Sequence, residues 1–240
     1  MALPKLNTIT YRLKLPSNDK EITYRPFTVE EEKILLTAQE SNDSSDILAA
    51  MRQIINNCVQ TELDVMKMPT FDIEYFFLNI RAKSTGEEIE LIVRHPNSTN
   101  VQGDVCEHAE EVKINVESIR VVKSENHNNR FQLDDNVGVI MRYPTIETFA
   151  IENMDNFDSF VRLIAKSIDI IYDKENQYPA DDSTEKELIE FVYSMNQKQI
   201  ISIQEFFESM PVLKHDIEYI CSACGCKETV TIQGFQNFFS

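Results

Sequence analysis

Between Phe71 and Val122 the spacing of apolar residues switches from a helical period to a strand period. The run FDIEYFFLNIRA, residues 71–82, has apolar side chains at helical spacing. Directly after it, GEEIELIVRH alternates apolar and polar. So does EEVKINVESIRVV, which puts Val112, Ile114 and Val116 on one side. Polar residues with Pro, Asn and Gly (PNSTNVQGDVCEHA) separate the two runs, as in a hairpin loop. A chain that changes period in this way needs helices and antiparallel strands sharing a core, which is an α+β layout.

The flanking segments extend the pattern. Residues 9–25 read as a hairpin, with Tyr11, Leu13 and Leu15 alternating and a turn at Pro16, Ser17, Asn18 and Asp19. Thr28 and Glu31 form a capping box ahead of a helical stripe at Ile34, Leu35 and Ala38. A second helix, residues 45–58, carries Ile47, Leu48, Met51, Ile54, Ile55 and Cys58 on one broad face, which makes Cys58 a core residue. Residues 128–145 predict another hairpin with Asp134, Asp135 and Asn136 at its bend. In residues 155–172, Phe157, Phe160, Ile164, Ile168 and Ile171 recur at helical spacing and predict one continuous helix. Residues 183–195 and 196–210 predict two more helices, and a terminal β-hairpin follows. The organisation expected is a hairpin plus helices over 1–84, a β-rich insertion over 85–144, a helical region over 145–213 and a cysteine hairpin over 214–240, packed as one unit. Residues 42–44, 97–104, 125–129 and 173–183 read as flexible or looped. His127 reads as a solvated loop residue.

Composition removes several functions. The 240 residues carry a net charge of −17, a field that repels a phosphate backbone and disfavours nucleic-acid binding. There is no Gly-rich phosphate loop, and no apolar run is long enough to cross a membrane. The opening MALPKLNTIT lacks the pattern of a secretion signal, so a cytosolic, thiol-reducing setting is expected. No catalytic constellation stands out. Acidic pairs such as Asp134/Asp135 and Asp181/Asp182 fall in turns, where Asp has local backbone reasons to be. The reading is non-enzymatic.

One cluster carries chemistry. Three of the five cysteines, Cys221, Cys224 and Cys226, lie within CSACGC between two strand-like runs. Cys-x-x-Cys followed by Gly is a zinc-knuckle pattern, in which two thiolates reach one tetrahedral ion from a tight turn. A closed structural site needs four ligands. The first choice for the second pair is Cys106 with His108, His95 being the alternative ligand; Cys226 and His215 are local alternatives. The expected cofactor is a structural Zn2+. The competing reading is that Cys221 and Cys224 are reduced, unliganded turn residues. A redox role fits poorly, because β-branched strand residues follow the motif where a thioredoxin-type site opens a helix. The aromatics of GFQNFFS, among them Phe235, Phe238 and Phe239, are expected to dock back onto the protein.

Three stretches carry a family resemblance. LPKLNTITYRLKLPSNDKEITYRPFTVEEEKILLTAQES, FDIEYFFLNIRAKSTGEEIEL and YICSACGCKETVTIQGFQNFF resemble the baseplate hub assembly proteins of T-even-type tailed phages. The combination of YRPFTVEEEKILL with FDIEYFFLNIRAKSTGE is the specific part. The resemblance implies a non-enzymatic role in assembly of the central baseplate hub, as a chaperone or a hub component; the reading is an assembly factor that binds other baseplate hub or tail tape-measure proteins, with neither nucleic acid nor membrane as partner. It places the protein in the host cytoplasm during assembly, or in the virion tail baseplate. It also implies a fuller cysteine knuckle after the GEEIEL strand, where this chain has only Cys106 and two histidines, His95 and His108. A permanent structural component of the hub and a zinc-ribbon nucleic-acid module are the alternatives.

Overall fold

A computed structural model describes residues 6–41, 44–94, 106, 108–145, 148 and 156–234. His95 and the aromatics at 235, 238 and 239 lie outside the described residues. The fold is mixed α+β, with six α-helices and several small antiparallel sheets among the described residues. The chain divides into two compact units, one built from residues 1–63, 71–122 and 212–240, the other from 64–70 and 123–211.

The first unit opens with a hairpin, β1 (Tyr11–Lys14) and β2 (Glu21–Tyr24), paired from Tyr11 opposite Tyr24 to Lys14 opposite Glu21. Its turn closes locally: Asn18 Oδ1 accepts from Lys20 N–H at 2.9 Å, and Asp19 takes the left-handed φ of 56°. Helix α1 (Val29–Ser41) starts as the sequence predicts. Both the N–H and the hydroxyl of Thr28 donate to Glu31 Oε2 at 2.7 Å. Helix α2 (Ser44–Cys58) buries Met51, Ile54, Ile55 and Cys58 completely. The central element is α3 (Thr70–Thr85). Phe76, Phe77, Leu78 and Ile80 have no exposed surface, so the helix is covered on more than one side.

An acidic side chain is buried at the start of that helix. Asp72 is 1% exposed and accepts from Ser17 N–H at 3.0 Å and from the Ser17 hydroxyl. Burial pushes its carboxyl up to about 6, against the two Ser17 bonds that favour the charged form. The turn of the first hairpin is thereby tied to the start of α3.

Strands β3 (Glu88–Arg94) and β4 (Ala109–Asn115) pair along their length, Glu88 opposite Asn115 and Arg94 opposite Ala109. The alternation seen in the sequence turns Ile89, Leu91 and Val93 inward. A second sheet has the order β11–β10–β5, from β5 (Arg120–Val122), β10 (Val212–Ile220) and β11 (Lys227–Gln233). Leu78 and Ala82 of α3, the inward residues of β3 and β4, and Leu213, Ile217 and Tyr219 of β10 form one apolar cluster. Cys106 and Cys221 belong to it.

The second unit holds a four-stranded sheet in the order β6–β7–β8–β9, from β6 (Arg130–Gln132), β7 (Gly138–Met141), β8 (Ile168–Tyr172) and β9 (Gln177–Pro179). Helices α4 (Phe157–Lys166), α5 (Glu185–Tyr193) and α6 (Gln197–Glu208) cover its apolar side chains. Here the continuous helix expected over 155–172 is corrected. The helix stops at Ser167, and Ile168–Tyr172 is a strand paired with both β7 and β9. The β-branched residues Ile168, Ile170 and Ile171 favour the strand, and the helical spacing of the segment is coincidental. Residues 173–183, expected as a loop, supply β9 and a 3-10 turn at Ala180–Asp182.

His127 is also corrected. Its ring stacks on Tyr143 and packs against Phe206, with Nδ1 2.9 Å from Ser209 Oγ and Nε2 3.0 Å from the Tyr143 hydroxyl. Burial lowers its pKa.

Candidate metal centre

Two hairpins of the first unit meet at the cysteines. The β10–β11 ladder runs to Ile220 opposite Lys227, leaving residues 221–226 to make the turn. Cys221 N–H donates to the Cys226 carbonyl at 3.0 Å, and Gly225 N–H donates to the Cys221 carbonyl at 2.8 Å. Gly225 takes a φ of 71°, the left-handed conformation that glycine adopts without penalty. This is how the Gly after the second cysteine lets the chain turn tightly enough to aim both sulfurs one way. Cys106, three residues before β4, comes to the same place because the β3–β4 register brings that end of the hairpin alongside.

The Sγ atoms of Cys106, Cys221 and Cys224 all lie within 4.8 Å of one another. Cys106 and Cys221, 115 positions apart, have their sulfurs 3.9 Å apart and are both buried. None of the three is in a disulfide. The sulfurs are electrostatically unlike. The Cys226 N–H donates to the Cys224 sulfur and the Cys221, Cys226 and Cys106 thiols lie around it, which lowers its pKa. At Cys106 a bond from the His108 N–H favours the thiolate, but burial and the neighbouring Cys224 and Cys221 outweigh it and raise the pKa.

Of the four expected ligands, three are thus gathered. The fourth, His108, lies beside them on a polar lock. Its Nε2 is 3.1 Å from Ser222 Oγ and 3.4 Å from Glu110 Oε2, while the Ser222 N–H and hydroxyl both donate to Glu110 at 2.8 Å. Glu110 and Ser222 were absent from the sequence reading. The signal was there: Cys106, His108 and Glu110 are spaced by two, which puts them on one side of an extended chain. His215 is elsewhere, with Nε2 3.5 Å from Ser118 Oγ.

The arrangement suits a soft cation. Zinc–thiolate bonds of about 2.3 Å at tetrahedral angles place sulfurs about 3.8 Å apart, close to the 3.9 Å between Cys106 and Cys221. A disulfide needs about 2.05 Å.

Comparison with known proteins gives the family. The family model described as T4 bacteriophage base plate protein matches residues 8–240, which includes both units and the cysteine turn. The baseplate hub assembly protein gp26 of Enterobacteria phage T4 is 23% identical over 231 residues, covering 95% of this chain and 97% of that protein. No solved structure matches. With a family model matching nearly from end to end, the chain belongs to the T4 bacteriophage base plate protein family.

Proposed function

We propose that this protein is a non-enzymatic assembly factor of the phage baseplate hub, acting as a chaperone that binds hub or tail tape-measure proteins while the hub is built. The observation that carries the reading is the end-to-end match to a relative named for baseplate hub assembly, 95% of one chain against 97% of the other. Surface chemistry supports a binding role. Helix α1 exposes Val29 (80%) and Leu36 (53%), seven positions apart and so on one face, on a helix that opens with Glu30, Glu31 and Glu32. An acidic chain of net charge −17 would steer basic segments of a protein partner and repel nucleic acid.

Affinity purification of the tagged protein from infected cells, with mass-spectrometric identification, tests this directly. A hub or tape-measure protein should co-purify before particles form, and purified virions should lack the tagged chain. Stoichiometric presence in virions would replace the chaperone reading with that of a permanent hub component. The family description, a base plate protein, favours that second reading. Recovery of neither type of partner would refute both.

A further inference from the structure

The register of the last hairpin bears on the incomplete ligand set. Ile220 lies opposite Lys227, and the bond from Cys221 N–H to the Cys226 carbonyl carries the ladder one pair further. Cys221 and Cys226 are therefore cross-strand partners. Residues directly opposite share one face of a hairpin, with Cβ atoms about 4.5–5.5 Å apart. That face is the inward one: Tyr219 and Ile217 are buried on β10, and Ile232 on β11. Cys226 is half-buried on it, next to Cys224. His108 is placed differently. Its imidazole points to Ser222 and Glu110, which it would have to leave to reach the sulfurs.

We infer that Cys106, Cys221, Cys224 and Cys226 form a four-sulfur structural site for zinc, with Cys226 and not His108 as the fourth ligand. The Cys106 and Cys221 sulfurs have the spacing a tetrahedral ion requires, the Cys224 sulfur lies within 4.8 Å of both, and the fourth comes from the residue paired with Cys221. His108, Ser222 and Glu110 act outside the ion, holding the β3–β4 hairpin against the β10–β11 turn. The ion then clamps residue 106 to residues 221–226, which lie more than a hundred positions further along the chain. The site is closed, with no vacant position for a substrate. This inference does not rest on the assembly reading, and either can fail alone.

The test uses the full chain, purified with excess thiol reductant and loaded with zinc alone. Native mass spectrometry should show one zinc per folded chain. X-ray absorption should show four sulfurs at about 2.3 Å and no nitrogen at about 2.0–2.1 Å. His108→Ala should keep this shell unchanged. Cys226→Ser should lose one sulfur from it and bind zinc at least about tenfold more weakly in competition with a chromogenic chelator. Cys226 is at the half-exposed end of the hairpin, and the wild-type spectrum needs no variant to fold. A folded wild-type chain that takes up no zinc overturns the proposal. So does a three-sulfur, one-nitrogen shell that changes in His108→Ala, or a four-sulfur shell that survives Cys226→Ser.

Discussion

Glu31 offers a sharp test of what holds the first unit together. Its side chain is 3% exposed and forms an ion pair with Arg25, whose guanidinium donates at 2.8 Å and 3.2 Å while Thr28 donates twice more. The Arg25 bonds, helped by Thr28 and opposed by burial, hold its carboxyl down from 4.5 to about 2. A carboxylate whose folded pKa is depressed stabilises the fold above its unfolded pKa and loses that contribution as pH falls toward the folded value. A carboxyl held from 4.5 down to about 2 is worth roughly 3 kcal/mol near pH 7 and about half of that near pH 3. Glu31→Gln keeps the shape and removes the charge. It also leaves Arg25, half-buried and beside Cys58 Sγ at 3.7 Å, facing an amide. Urea denaturation followed by far-UV circular dichroism should show a penalty of about 3 kcal/mol near pH 7, shrinking to about half near pH 3. Replacing both partners, as Arg25→Met with Glu31→Leu, should cost much less than Glu31→Gln, because no uncompensated charge remains buried. A penalty below about 1 kcal/mol near pH 7, or one equally large near pH 3, would refute the reasoning.

Other substitutions probe other parts of the fold. Asp72→Asn should stabilise by up to about 3 kcal/mol near pH 8 and by little near pH 4, since a carboxyl raised from 3.8 to about 6 costs stability that builds up as pH rises from the unfolded value through the folded one; paired urea melts at the two pH values decide it. Gly138→Ala should destabilise by about 1–3 kcal/mol, because a methyl there would run into the Tyr172 ring and lie 2.8 Å from the Phe131 carbonyl oxygen; the melting temperature reads it. His127 should titrate below the usual 6.5 in a proton NMR series, and the stability owed to its neutral ring should fall as pH drops below that value. Removing metal by dialysis against a chelator should lower the melting temperature of wild type and leave Cys221→Ser unaffected, if an ion contributes to folding.

How far the chain could be read depended on whether a signal was local. The capping box at Thr28 and Glu31, the hairpin at 11–24 and the alternation of Ile89, Leu91 and Val93 are set by neighbours in sequence, and they lie where periodicity put them. Two failures came from the same cause. Ile168 and Ile171 kept helical spacing, yet the β7 and β9 edges drew them into a sheet; His127 sat in a polar run, yet Tyr143, Phe206 and Ser209 enclosed it. The β7 partner of Ile171, Val139, and the Phe206 and Ser209 neighbours of His127 all lie more than thirty residues away, outside any local window.

The cysteine cluster shows the middle case, in which a motif is visible but its completion is not. The turn at 221–226 was legible because Cys-x-x-Cys-Gly is a local conformational statement. That Cys106 would join it requires β3 to pair with β4 and β10 with β11, and both hairpins to share the cluster that includes Leu78 and Ala82. Spacing suggested His108 as the partner of Cys106 because the two lie close in sequence. Strand register favours Cys226, since pairing across the ladder matters more than proximity along it. The same parity that turns Tyr219 inward turns Cys221 inward, and the hairpin then offers Cys226 on that side. A single-residue slip in β10–β11 would bury Ser222 in place of Cys221. The apolar face of the hairpin and the sulfur site therefore select the same register, and a substitution that weakens one should weaken the other.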